Sequence, residues 1–466
     1  MTEAVGANPD ESSQMVQYIM ANVKNSVPLR LLINGAKSSR KTHLVDSLKE
    51  RLNNSRIPYI LLTHSNIRAK LIDDETICKK TKINPHELFA LSTANKKDFR
   101  NSKLLILDKV DTLNALDTAV RKIKKSPELF FGNIHLVFIA DFYQLSRSKG
   151  EPSYQWGEWM SEKFIFRTLA PNQEKDSEFC LRLGRWAVGD VSLDDIKFLR
   201  EKQICHVSGD LFFKTAKFFW ESKWDKKKSL ILTPKNSEVL KFSKHLLRLQ
   251  NVQVFEKMDP ILIKTLKKGE IKPSYAPYVG SNPMYIGIDA LVTFTCKTAS
   301  ISGPYAEEGD VGRILDYFKK DGHIVALTIR IGYNGIYSTF QRQETLITET
   351  DEEKIFGYQF FLRPAHVSTI HDAQEQILEH AIIHTHHKDF GPAVFYSAVS
   401  RLESSEGLHF THIGNPSLDD MKKMIHANPL ILSKLRELNQ ELECDNCKFP
   451  KKKIHYFKHS KCTFSE

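Results

Sequence analysis

Leu29–Asn34 reads LRLLIN and runs straight into Gly35-Ala36-Lys37-Ser38-Ser39-Arg40-Lys41-Thr42, after which HLVDSLKERLNN carries a helical pattern. A short apolar run of this kind suits a buried parallel strand. A loop between such a strand and a helix is the setting in which backbone N–H groups cradle phosphate. Gly35 opens the loop, Lys41 is placed to reach β- and γ-phosphates, and the Thr42 hydroxyl to ligate Mg²⁺. Arg40 stands where such loops usually carry a second glycine, so a positive φ there strains it. Gln14, in the helical SSQMVQYIMANVKN ahead of the strand, completes the cofactor-side candidates.

Outward from this loop, IPYILLT (Ile57–Thr63), KLLILD (Lys103–Asp108) and HLVFIAD (His135–Asp141) are further strands separated by helical stretches. That alternation predicts an α/β fold with a parallel, doubly wound sheet. After a break near Lys223–Lys228, SLILTP (Ser229–Pro234) and its following helix open a second such unit. The expected organisation is a disordered tail over 1–13 and a first phosphate-loop domain over 14–175. The second parallel-sheet domain starts over 176–288 and is interrupted by a β-rich insertion over 289–362. It resumes over 363–435, and a separate tail covers 440–466.

The 466 residues carry a net charge of +11, which points towards a polyanionic partner. Four of the seven cysteines (Cys78, Cys180, Cys205, Cys296) are scattered, so a disulfide framework is not expected and the compartment is a reducing one: nucleus, cytosol or a viral replication site. No signal-peptide pattern and no apolar run of membrane-spanning length is present, so no membrane partner is expected.

Four more blocks carry chemistry. LLILDKVD ends a strand in Asp108, a candidate for the Mg²⁺ shell, followed by Lys109. IADFYQLSRSKG ends another in Asp141, with Phe142 and Tyr143 as base-stacking candidates and Gln144 as a γ-phosphate sensor. TPKN (Thr233–Asn236) follows the strand that opens the second unit. Ser368–Leu408 offers Thr369, His371 and Gln374 for strand-backbone contacts and Arg401 as a γ-phosphate contact. His384, His386 and His387 match no standard ligand spacing and read as an exposed strand-end cluster.

In order, these blocks resemble the Pif-like and RecD-like superfamily 1 helicases over about residues 28–412. The phosphate loop resembles GAKSSRKT. LLTHSNIRA with TIC, LLILD, IADFYQL, DSEFCLRLGRWAVGD, LTPKN, the turn EGDVGRI, STIHDAQ and YSAVSRLESSEGL follow in the family's sequence. The resemblance implies two RecA-like domains, single-stranded DNA as partner with RNA as the alternative, a replication or repair protein partner, and ATP-driven 5′–3′ movement. It implies Asp108, Gln144 and Arg401 as catalytic residues and Thr63 as a further strand contact. Departures fall on the same sites. Lys109 stands at the position of the family's catalytic Glu, Asn172-Gln173-Glu174 where an arginine is expected, and Asp372 and Glu375 where the family has a basic residue and a glycine. Arg182 or Arg185 is the candidate substitute for the missing arginine. The expectation is a strand-binding protein whose binding and hydrolysis of ATP with Mg²⁺ are weak or lost; the alternative is an active 5′–3′ helicase.

The tail lies outside the resemblance. Cys444-x-x-Cys447 followed by His455, His459 and Cys462 fits a small zinc-finger-like site with Cys444, Cys447, His459 and Cys462 as ligands and His455 as the alternate.

Overall fold

The computed structural model describes residues 11–24, 27–37, 39–63, 97, 99–108, 113–144, 164–169, 177–204, 209–268, 274–277, 283–332, 336–349, 353–374, 376–384, 391, 393–413, 417–425 and 432–433. These fall into two compact units. One is drawn from Met1–Ser192, Gly391–Ser400 and Met421–Glu466, the other from Leu193–Phe390 and Arg401–Asp420.

Among the described residues the first unit is built on five parallel strands: β1 Arg30–Gly35, β2 Tyr59–Thr63, β3 Leu104–Asp108, β4 His135–Ala140 and β5 Ile165–Leu169. Their order across the sheet is β2-β3-β4-β1-β5. Successive residues serve opposite cores. Leu32, Leu105, Leu107 and Phe138 face one, while Leu31, Ile33, Leu104, Ile106 and Ile139 face the other. A sheet covered on both faces needs apolar residues at consecutive positions, which is why these strands read as continuous runs rather than as alternation. Helix α1 (Glu11–Asn22) and helix α2 (Lys41–Asn54) line the second core through Met15, Ile19, Leu44 and Leu48. Because every strand points the same way, the loops after β1, β3 and β4 leave from one edge of the sheet.

The second unit holds a four-stranded parallel sheet in the order β18-β6-β19-β20. Its strands are β6 Ser229–Thr233, β18 Val367–Thr369, β19 His380–Ile383 and β20 Leu408–Phe410. Phe219, Phe242, Leu246, Ile231, Val367 and Ile382 pack one of its faces. The two parallel sheets are the two RecA-like halves expected from the sequence. Between β6 and β18 lies a β-rich region of two main antiparallel sheets. One has the order β14-β13-β12-β11-β17 and the other β15-β16-β8-β9. In chain order these strands are β8 Ile261–Lys267, β9 Ser274–Pro277, β11 Leu291–Phe294, β12 Val311–Lys320, β13 His323–Ile331, β14 Tyr337–Gln341, β15 Gln343–Glu349, β16 Glu353–Gln359 and β17 Leu362–Pro364. A two-stranded sheet, β7 Glu256–Met258 with β10 Met284–Ile286, accompanies them. The β region therefore reaches back to Glu256, well before residue 289. In ILIKTLK the apolar and polar residues do not alternate cleanly, which hid β8 from a reading by periodicity.

Arg342 joins these sheets. Its Nε donates to Ile324 O at 2.7 Å, Nη1 to Pro260 O at 2.9 Å and Nη2 to Asp259 O at 2.7 Å, over the Phe360 ring. Burial brings its pKa down to about 10, which leaves it charged at neutral pH. Among the described residues, no helix is long and apolar enough to cross a membrane.

His366 connects β17 to β18 with φ 70°, its ring packed near Phe219 and Trp220. Burial pushes its pKa down to about 4, against a hydrogen bond to the Lys226 backbone that raises it. The native ring is thus neutral over a pH range in which an unfolded histidine, near 6.5, takes a proton. Stability is full above the unfolded value and falls as pH drops towards the folded one, by up to roughly 3 kcal/mol. Burial lowers the pKa of His380 and His409 as well, and these add in the same direction. Thermal melts from neutral pH to about pH 5 should show falling stability. Asn tolerates positive φ, and His366→Asn should flatten part of that slope. Identical pH profiles for the two proteins would contradict the assignment.

Candidate functional site

The loop after β1 is tight. A Cβ on Gly35 would lie 2.2 Å from Ser39 Oγ, so a larger residue there would displace the Ser39 side chain from its place in the loop. Ser39 N–H and its hydroxyl both donate to Ala36 O, at 3.2 and 2.8 Å. Arg40 precedes α2 with φ 53° and ψ 29°, in the left-handed region, and gives the helix no side-chain cap. The strain anticipated for an arginine at the glycine position is therefore present, on the order of 1 kcal/mol. Lys41 is buried with its ammonium lodged in its own loop. It donates to Gly35 O, to Ala36 O at 2.7 Å and to Ser39 Oγ at 3.3 Å. No acidic residue occupies the first turn of α2. An uncapped helix N-terminus beside a lysine is a donor set that fits a phosphate.

Asp108 ends β3 fully buried, in register with Thr63 of β2 and with Ile139 of β4. A carboxylate at this edge fits a Mg²⁺ shell. Past the end of β4, Asp141 organises its loop. Its Oδ2 accepts from Gln144 Nε2 at 2.7 Å and from the Tyr396 hydroxyl at 3.0 Å, and its Oδ1 from Tyr143 N–H at 3.3 Å. Asn34 Oδ1 accepts from Phe142 N–H at 3.1 Å and ties the ends of β1 and β4 together. Tyr396 lies on the helix Val394–Val399, and its oxygen also accepts from Lys37 N–H at 3.0 Å. One phenol thus joins the phosphate loop to the sensor loop. Tyr396 and Asn34 were not singled out in the sequence. The signal for Asn34 was a polar residue closing a wholly apolar strand. Tyr396 opens the YSAVSRLESSEGL block without any role of its own being read there.

Two expectations are corrected. Phe142 is 1% exposed and packs edge-on to Phe138 in the core, so it has no free face for a base. Tyr143 is half-buried beside the Tyr396 ring. His384 is buried rather than exposed at a strand end, with Nδ1 3.2 Å from Thr411 Oγ1 and Nε2 3.9 Å from Glu238. Arg182, a candidate substitute arginine, pairs with Glu178 on its own helix at 2.6 Å, and Gln14 lies half-buried on α1.

In the second unit Thr369 closes β18 in register with Thr233 of β6. Thr369 and Gln374 are buried, while His371 and Asp372 are exposed. Thr369 Oγ1 donates to Asp372 Oδ2 at 2.8 Å and accepts from Asp372 N–H at 3.1 Å. Arg401 is buried, and its carbonyl accepts from Leu378 N–H at 3.0 Å. Lys109, Asn172, Gln173, Glu174, Glu375, His386, His387 and the tail residues Cys444, Cys447, His455, His459 and Cys462 lie outside the described residues. Among the described residues no group of three or more His, Cys, Asp or Glu could hold a metal ion.

No family model and no curated protein matches the chain. Solved structures do. It is similar to a structure of two coordinating Pif1 helicases at forked duplex DNA, with 18% identity and a TM-score of 0.62 over 93% of this chain and 98% of that one. It is similar to Bacteroides Pif1 in complex with ADP-AlF3 and single-stranded DNA, at 19% identity and 0.61 over 92% and 97%. It is also similar to Pif1 from Candida albicans, at 17% and 0.58 over 93% and 99%. At these identities the likeness establishes the fold alone: the chain shares the fold of these Pif1 structures along nearly its whole length.

Removing the Tyr396 hydroxyl takes away the donor to Asp141 and the acceptor for Lys37 N–H. Tyr396→Phe should destabilise the first unit by about 1–3 kcal/mol, read as a lower urea midpoint with an unchanged slope. An unchanged midpoint would show that the phenol joins nothing of consequence.

Proposed function

We propose that this chain uses a Pif1-type helicase fold to bind single-stranded nucleic acid, and that it turns over ATP weakly or not at all. The strand-binding half is supported by the fold, by the net charge of +11 and by the Thr369–Gln374 block at the carboxyl edge of the second parallel sheet. Contacts to a phosphate backbone release counterions, so affinity should fall with salt.

The observation that carries the second half is the state of the phosphate loop. Lys41 would hold ATP phosphates, with Thr42 and Asp108 on Mg²⁺; bound ATP would supply a phosphoryl group open to attack by water. Lys41 must first leave the Gly35 and Ala36 carbonyls that now hold it. Arg40 sustains a left-handed backbone that glycine adopts freely. Lys109, next to Asp108, replaces a water-activating carboxylate with a cation. Loss of such a group, or of a transition-state arginine, costs several powers of ten in rate. The alternative, an active 5′–3′ helicase, draws on the intact Asp141–Gln144 sensor loop.

Steady-state ATPase with saturating single-stranded DNA decides between these. The expected outcome is turnover near background for wild type and for Lys41→Ala alike. Robust turnover that disappears in Lys41→Ala would return the chain to the active helicases.

The Cys444–Cys462 tail is proposed to bind zinc. Elemental analysis of protein kept reduced should find about one zinc per chain, and Cys444→Ser with Cys447→Ser should abolish it. Protein that is zinc-free under those conditions would remove the tail site.

A further inference from the structure

Carboxylates from two blocks that the sequence presents separately, the turn EGDVGRI and the block STIHDAQ, act electrostatically on a side chain that neither contains. Arg363 lies on β17, paired in register with Thr293 of β11. The carboxylates of Asp372 and Glu308 act on its guanidinium, opposing a burial that lowers its pKa. Glu308 comes from the turn before β12, which Gly309 makes with φ 87°. The Nη1 of Arg363 is buried and has no hydrogen-bond partner among the described residues. A guanidinium has five N–H donors and no acceptor, and leaving a buried donor unmet is unfavourable. Among the described residues Nη1 therefore lacks an acceptor, although two carboxylates act on the same guanidinium.

Thr369 supplies the second half. Its hydroxyl donates to Asp372 Oδ2 at 2.8 Å, and Asp372 is exposed. An exposed carboxylate thus occupies a threonine hydroxyl and acts on an arginine, the two kinds of donor that hold backbone phosphates.

We infer that Arg363 and Thr369 form a phosphodiester-binding subsite for a single strand, held closed by Asp372 acting as an internal phosphate mimic. The inference rests on the strand-binding reading and says what regulates it. An incoming phosphate exchanges for the Asp372 carboxylate, so the charge facing Arg363 is kept. Asp372 is already at the surface, so moving off Thr369 exposes no buried charge. Affinity is then set by competition between two anions, and neutralising the internal one releases the site to the strand.

The test is fluorescence anisotropy of labelled oligothymidylate titrated with the full-length chain at several salt concentrations. Asp372→Asn keeps an oxygen for the Thr369 hydroxyl and removes the charge; it should tighten binding several-fold. Arg363→Gln should weaken binding about tenfold and lower the salt slope by about one, while Arg363→Lys keeps the slope. Asp372→Asn added to Arg363→Gln should give no gain. Should Arg363→Gln fail to fold, the exposed Asp372→Asn still decides. Strand binding by wild type that Asp372→Asn and Arg363→Gln leave unchanged would overturn the subsite and leave the strand-binding reading standing. Absence of binding by both wild type and Asp372→Asn at low salt would overturn both. Inorganic phosphate that competes as well as oligothymidylate, phosphate for phosphate, would reassign the subsite to a free anion and overturn the proposal.

Discussion

Burial of a parallel sheet on both faces is the constraint from which the rest of the first unit follows. It demands apolar side chains at consecutive positions, as in LLILD and HLVFIA, whose residues are all buried. In the inner strands β1, β3 and β4 it leaves polar residues only at the ends. Since the strands are parallel, those ends share one edge, and Gly35, Asp108 and Asp141 arrive there without any local signal of their proximity. The chemistry of the unit is what the sheet cannot bury.

At that edge hydrogen bonds replace packing. Asn34 ties β1 to the loop after β4, Asp141 gathers Gln144 and Tyr396, and Tyr396 reaches the phosphate loop. The edge is organised by neutral donors and one carboxylate, while the cations sit in the loop itself. Arg40 and Lys41 are both held by backbone, one through its φ and the other through loop carbonyls. The second unit repeats the pattern with Thr233 and Thr369 at the ends of neighbouring strands, but there an aspartate stands among the donors.

Much of this was legible in the sequence because continuous apolar runs, a glycine loop and strand-end acids are local signals. The strands at Leu29, Ile57, Lys103, His135 and Ser229 appear within a residue or two of where the pattern put them. What failed depended on facing residues. Phe142 reads like a stacking aromatic next to Tyr143, but in the turn just past β4 it packs into the core beside Phe138. His384 reads as one of a polar group, yet it closes a buried strand and meets Thr411, far along the chain. Arg342 and Arg363 carry no local mark at all, because their partners are backbone carbonyls and acids brought together by the antiparallel sheets.

The proposed function is that of a helicase fold that holds a strand without doing work on it. The most direct measurement gives the full-length chain a duplex with a 5′ single-stranded overhang, ATP and Mg²⁺, and follows both binding and strand separation in one sample. The proposed function predicts a salt-sensitive complex on the overhang with the duplex intact. Separated strands that accumulate only when ATP is present would contradict it.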